Sequence, residues 1–262
     1  MRDDGPFHEV GNIFPGETNV ESIRGETPVA EALKIMLEKR YSQLPVEENG
    51  MVRGAFSFWS LAHQLSISPN LRVSDLTVED LMEQLPTVTV TDSLHSILAL
   101  LDQHEALLVG SPHGLQAILT SFDVLRYFYK VARPYILLQE IELALRSIID
   151  LCAPNDKLKD CIDAALLRVC EKTGRDVPVE LHELAFEDYR TLIHARDNWP
   201  LFEGVLGRNR DVVSANLKQI RDIRNDVFHF RREITVLDYQ TLAGARDWLL
   251  EKIRRAAMAK EG

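Results

Sequence analysis

The chain has 262 residues, 45% hydrophobic and 27% charged, a globular composition that leaves little room for long disorder. Its length exceeds the ~100 to 200 residues usual for one domain and predicts two compact units. A net charge of -10 excludes a general attraction to nucleic acid or acidic membrane, and no run reaches the ~20 apolar residues that span a bilayer.

The segment Met1 to Glu9 carries Asp3, Asp4 and Glu9 rather than a basic start and an apolar run, so no export is expected and a cytoplasmic location is. Two segments then overlay with a shift of 63 or 64 residues. In the first, Glu26-Thr27-Pro28 precedes the helical pattern Val29, Leu33, Met36, Leu37; in the second, Val90-Thr91-Asp92 precedes Leu94, Ile97, Leu98, Leu101. Thr27 and Thr91 are the expected helix caps. Short apolar strands follow, Gln43 to Val46 and Ala106 to Val109, then turns at Asn49-Gly50 and Ser111 to Gly114. Second strands, Val52 to Phe56 and Leu115 to Leu119, run into helices that open at Ser57-Phe58-Trp59-Ser60 and Thr120-Ser121-Phe122-Asp123. Each copy reads strand, helix, strand, strand, helix.

This repeat, over roughly Val10 to Val131, resembles two cystathionine-beta-synthase (CBS) motifs, the pair that packs as a Bateman module. The link Val73-Ser74-Asp75-Leu76-Thr77-Val78-Glu79-Asp80-Leu81-Met82 is similar to the stretch that joins paired motifs, and the second copy carries the fuller match. The resemblance implies a regulatory adenine nucleotide of the AMP, ADP or ATP kind. Its ligand signature is a Thr, two residues, then an Asp, and Thr120 and Asp123 fill it. The chemistry is that of a hydroxyl and free N–H groups at a helix start, which receive phosphate, and of a carboxylate, which accepts from ribose hydroxyls. The same spacing also makes an ordinary capping box. In the first copy Ser57 stands for the Thr and Ser60 for the Asp, which removes the ribose acceptor, so one site is expected, with Ser57 a lesser contact.

From Pro134 the period becomes helical. Tyr135, Leu138, Ile141, Leu145, Ile148 and Ile149 predict an amphipathic helix begun by Pro134 and stopped at Pro154 to Asp156. Ser121 through Asp150 thus reads as helix interrupted only near Pro134. Further helices are predicted through Ile162, Leu166, Val169 and Cys170 up to Gly174, from about Leu181 to His194, around Phe202, along Val212 to Val227, and over Val236 to Ala257 capped by Thr235 with Asp238. The fold class is therefore α+β: a tandem of strand-helix-strand-strand-helix motifs in 1–132, then an all-α antiparallel bundle in 133–262. Cys152, Cys161 and Cys170 recur at nine-residue steps, half a revolution apart on a helix at ~100° per residue, which suits neither a zinc site nor a disulfide framework. Free thiols and no metal are expected. Seven basic residues between Arg208 and Arg232 stand against Asp211, Asp222 and Asp226, a basic segment on an acidic chain.

Within it, Arg224-Asn225-Asp226-Val227-Phe228-His229 resembles the signature of HEPN domains, many of which are metal-independent ribonucleases. Glu140, Arg146, Phe186, Trp199, Phe202 and Phe230-Arg231 are similar to the surroundings of that motif in toxin-like and abortive-infection members. Residues five apart on a straight helix point ~140° away from each other, so one helix cannot easily aim Arg224 and His229 at one phosphate. In the family dimerisation brings two motifs together, which implies a homodimer. The resemblance implies cleavage of single-stranded RNA to 2',3'-cyclic phosphate and 5'-hydroxyl ends, with no cofactor for catalysis. His229 would act in proton transfer, Arg224 would hold the phosphorane charge, and Asn225 would orient them. The implied setting is toxin, antiviral or stress growth arrest, with an antitoxin as a further partner, and the implied whole is a nucleotide-gated ribonuclease. A rival reading makes the motif structural, with Arg224 bonded to Glu140 or another acid, and the protein a non-catalytic nucleotide sensor whose helical domain binds a protein or RNA.

Overall fold

A computed structural model describes residues 8–14, 20–111 and 114–261. Internal packing divides the chain into two units, Met1–Lys130 and Val131–Gly262, and the mixed α+β composition is split between them, with every strand among the described residues in the first.

The first unit repeats itself. Helix α1 (Val29–Lys39) is followed by strands β1 (Gln43–Glu48) and β2 (Met51–Ser57) and helix α2 (Phe58–Ile67). The second copy has β3 (Thr87–Val88), α3 (Leu94–Leu101), β4 (Ala106–Ser111), β5 (Gly114–Thr120) and the start of α4 (Ser121–Cys152). One offset of 63 residues relates Gln43 to Ala106 and Ser57 to Thr120. Both hairpins are antiparallel, and both slip register at matching points, Val46/Glu47 and Val109/Gly110. A parallel neighbour completes each: β3 beside β4, and a single bridge from Ile23 to Val46. Each copy builds its own core, around Met36, Leu44 and Phe56 in one and Ile97, Leu107 and Leu119 in the other. Gly54 marks a close approach, because a Cβ there would lie 2.3 Å from the Glu83 carbonyl oxygen. In the Ser111 to Gly114 turn, residues 112–113 lie outside the described residues, as does the start at residues 1–7.

The expected caps are corrected. Pro28, not Thr27, precedes α1, and Ser93, not Thr91, caps α3 by accepting from the Ser96 N–H at 3.1 Å. Thr27 lies one residue before the cap position, and its carbonyl accepts from Val78 N–H at 2.9 Å. The Thr91 hydroxyl pairs with that of Thr89 at 3.0 Å.

The second unit is helical: the rest of α4, then α5 (Asn155–Thr173), α6 (Phe186–His194), α7 (Trp199–Leu206), α8 (Arg210–Phe228) and α9 (Val236–Glu261). Pro134 does not interrupt α4, which runs from Ser121 to Cys152 with the proline inside it. Proline at this place removes one i to i−4 bond but leaves the rest of the ladder, and buried Leu138, Ile141, Leu145 and Ile148 hold the helix by packing. The expected third helix is shorter than predicted: Leu181–Glu183 is a 3-10 turn, and α6 starts at Phe186. Gly174 ends α5 with φ +66, a left-handed position that glycine takes without strain. Thr235 and Asp238 form the expected box at the start of α9. One core joins Ile141, Ile162, Tyr189, Phe202, Leu217, Ile220, Leu242 and Leu249. Cys161 and Cys170 are buried free thiols and Cys152 is half-buried; burial pushes the Cys161 thiol up.

Candidate functional site

Thr120 ends β5 and Asp123 lies in the first turn of α4. Asp123 Oδ2 accepts from the Thr120 N–H at 3.0 Å and from its hydroxyl at 2.6 Å, and the Thr120 hydroxyl accepts from Asp123 N–H at 3.4 Å. This is a reciprocal cap, as the spacing alone allows. It also leaves Asp123 Oδ1 without a hydrogen bond among the described residues, on a side chain that is only half-buried. An acceptor carboxylate beside a helix start is the arrangement that suits a ribose diol next to a phosphate.

The equivalent corner of the first copy is closed. Ser57 is 3% exposed; its hydroxyl accepts from Ser60 N–H at 2.9 Å and donates to Glu83 Oε1 at 2.7 Å. Ser60 Oγ accepts from Ser57 N–H at 3.1 Å and donates to the Ser57 carbonyl at 3.0 Å. Ser57 is thus bonded inward, unlike Thr120, and is poorly placed for the lesser ligand contact expected of it. The partner Glu83 was missed from the sequence because it lies in the link, 26 residues on.

In the second unit, Arg224 is on the last turns of α8. A cavity of about 300 Å3 beside it is lined by Tyr135, Gln139, Glu142, Arg146, Phe186 and Phe228. The guanidinium lies 4.6 Å from the centre of the Phe228 ring, which in turn meets Tyr135 edge-on at 5.6 Å. Arg224 Nε is buried with no hydrogen-bond partner, the one such side-chain atom among the described residues. Arg224 forms no ion pair there; its Nη1 reaches only Asn225 Oδ1, at 3.4 Å. The acids that could have neutralised it are engaged: Glu142 accepts from Arg146 at 2.6 Å, and Glu140 from Arg246 at 3.2 Å. Arg146 also donates to the Tyr189 hydroxyl at 2.7 Å.

His229 is elsewhere. It is the exposed C-cap of α8, contributes nothing to the cavity lining, and its imidazole has no hydrogen-bond partner among the described residues. Within one chain Arg224 and His229 are not brought to one point; Asn225 meets the first with its side chain and the second only through its carbonyl, which accepts from the His229 N–H at 3.1 Å.

The basic segment is less basic than its residue count. Lys218 and Arg221 pair with Asp222, Arg221 also with Glu187, Arg210 with Asp211, and Arg232 with Asp226 and Asp238. Arg208, Arg224 and Arg231 carry no ion pair among the described residues. Burial raises the Glu187 carboxyl, but hydrogen bonds from Arg190 and Arg221 outweigh it and hold it below its ordinary value. The bidentate Arg232 guanidinium, with help from Thr235, holds Asp238 well below the usual carboxylate range.

No group of three or more His, Cys, Asp or Glu among the described residues is arranged to hold a metal, and no helix among them is long and apolar enough to cross a membrane.

Residues 10–67 match the family described as CBS domain. The match falls on the first copy, whereas the ligand signature is fuller in the second. No curated protein matches the chain. Among solved structures the chain is similar to CBSX2 in complex with AMP, at 27% identity over 47% of this chain and 98% of that one, with a TM-score of 0.39. It is similar to the CBS-pair protein CBSX2 from Arabidopsis thaliana, at 25% identity over 48% and 97%, TM-score 0.40. A third is a CBS domain-containing protein of unknown function from Bacillus anthracis, at 19% identity over 50% and 99%, TM-score 0.40.

Proposed function

We propose, from a CBS domain in the first unit and an unpaired arginine in the second, that this protein is an adenine-nucleotide sensor controlling a metal-independent endoribonuclease. CBS pairing supports a nucleotide-sensing regulatory module, and the free Asp123 Oδ1 at the start of α4 supports the second copy as the place where ribose and phosphate are held.

The catalytic half rests on one observation: Arg224 has a buried, unbonded Nε, no ion pair among the described residues, and a cavity beside it whose one acid, Glu142, is paired with Arg146. An uncompensated guanidinium at a cavity is a site for an anion, and a phosphorane is the anion it fits bidentately. His229, exposed one turn further on, takes the proton of the RNA 2'-hydroxyl. The 2'-oxygen then attacks phosphorus, the bond to the 5'-oxygen breaks, and that oxygen is protonated. The products are a 2',3'-cyclic phosphate and a 5'-hydroxyl. Because the two side chains diverge within one chain, a second copy supplies the missing partner.

A non-catalytic reading is favoured by one feature, that no group among the described residues orients the His229 imidazole; proton-transfer histidines are ordinarily held by a second hydrogen bond. The two readings separate in one assay. Pure protein in EDTA, given labelled single-stranded RNA with and without AMP, ADP or ATP, should cleave it, His229→Ala should not, and Asp123→Ala should lose the nucleotide effect alone. Intact RNA under every condition, with nucleotide still bound, leaves the sensor and partner-binding role.

A further inference from the structure

Helix α8 ends in an αL turn: Arg231 N–H donates to the Asp226 carbonyl at 3.0 Å and Phe230 N–H to the Val227 carbonyl at 3.4 Å. This double closure puts the residue after the C-cap in the left-handed region, the position where glycine is at home. Here it is Phe230, at φ +51. The ring is also 82% exposed and has no ring or cation partner among the described residues. Folding disfavours phenylalanine here twice, once through its Cβ and once through apolar surface left in water. Phe228, two residues earlier, differs, since Arg224 already lies over its ring and Tyr135 meets it edge-on.

The neighbours indicate what the free ring meets. Exposed His229 precedes it, and exposed Arg231, without an ion pair among the described residues, follows it. A bare aromatic face between two groups able to meet phosphate is the arrangement that binds unpaired bases, since every base has a π-face and duplexes hide theirs. Resting on the ribonuclease reading, we infer that Phe230 is a base-stacking platform that positions single-stranded RNA against His229, a positioning residue and not a catalytic one. A protein surface, a second copy included, would cover the ring too, but it gives no reason for an imidazole on one side and a guanidinium without an ion pair among the described residues on the other.

The test uses the full chain in a His229→Ala background, so that RNA stays intact, and compares Phe230→Gly with Phe230→Tyr by fluorescence anisotropy on a labelled single strand and on its duplex. Phe230→Gly should weaken single-strand binding by roughly fivefold to a hundredfold, the range measured for losing one stacked base. It should raise or maintain the melting temperature, since strain is relieved, while Phe230→Tyr keeps the affinity and duplex binding does not respond. With His229 restored, the glycine variant should lower kcat/KM on single strands, mostly through a higher KM. Single-strand affinity equal to the parent's overturns the inference, and a lower melting temperature with loss of dimer would then assign the ring to a second copy. A parent that binds no single strand at all removes the ribonuclease reading itself.

Discussion

Arg224 stands where two costs can be compared. A buried donor with no partner costs about 1–3 kcal/mol, while its cation-π contact with Phe228 returns about 0.5–1 kcal/mol at a partly exposed site. The first is larger, so Arg224→Met should stabilise the helical unit by up to about 1 kcal/mol while abolishing RNA cleavage. Thermal melting alongside the cleavage assay reads both signs; a destabilised variant would mean the guanidinium serves the fold. Asp238 gives a pH dependence. Its carboxyl is lowered in the folded state, so the unfolded chain takes up the proton first as pH falls. The stability it contributes is fully present above the ordinary aspartate value of about 4 and drains away below it, through the folded value. Asp238→Asn should be less stable at neutral pH and should lose less on acidification, as urea unfolding at neutral and acid pH would record.

For elements, α4 is the informative case. A proline within a helix brings no N–H to the ladder and costs about 3 kcal/mol in an unsupported helix, yet Pro134 sits inside Ser121–Cys152. Pro134→Ala should therefore raise the melting temperature, by an amount worth about 1–3 kcal/mol, with no loss of helix by circular dichroism. No gain would show that packing around the proline ring already offsets the missing N–H. The hairpins were readable because their alternation and turn residues are local, and the 63-residue offset exposed their equivalence. Caps were not: α1 and α3 start one and two residues later than expected, after Pro28 and Ser93, and the Thr91 hydroxyl pairs with Thr89. Likewise the Arg208 to Arg232 charge count could not foresee that Glu187 and Asp238, outside that segment, would pair with Arg221 and Arg232.

At the scale of the whole molecule, the divergence of Arg224 and His229 makes a statement about assembly. If one active centre draws these residues from two copies, Arg224→Ala and His229→Ala proteins, each inactive alone, should regain cleavage when mixed, because a mixed dimer contains one intact pairing. The gain should saturate at equimolar mixing and vanish on dilution below the dimer dissociation constant. Mixtures that remain inactive would place both residues in a single chain's reaction or in none.

By itself the sequence determined the α+β class, the repeated helix-strand-strand-helix order, the glycine stop at Gly174, the Thr235–Asp238 cap and the residues worth asking about, while the leading strand expected of each copy is only a bridge at Ile23 in the first. These depend on periodicity and on contacts between near neighbours, which spacing along the chain encodes. Tertiary structure alone decided that Ser57 is sealed by Glu83 while Asp123 keeps a free oxygen, that Glu142 pairs with Arg146 and leaves Arg224 without an ion pair among the described residues, and that Phe230 stands in a glycine's conformation. Those outcomes depend on which distant side chains arrive at the same place, and on whether each buried charge finds a partner there.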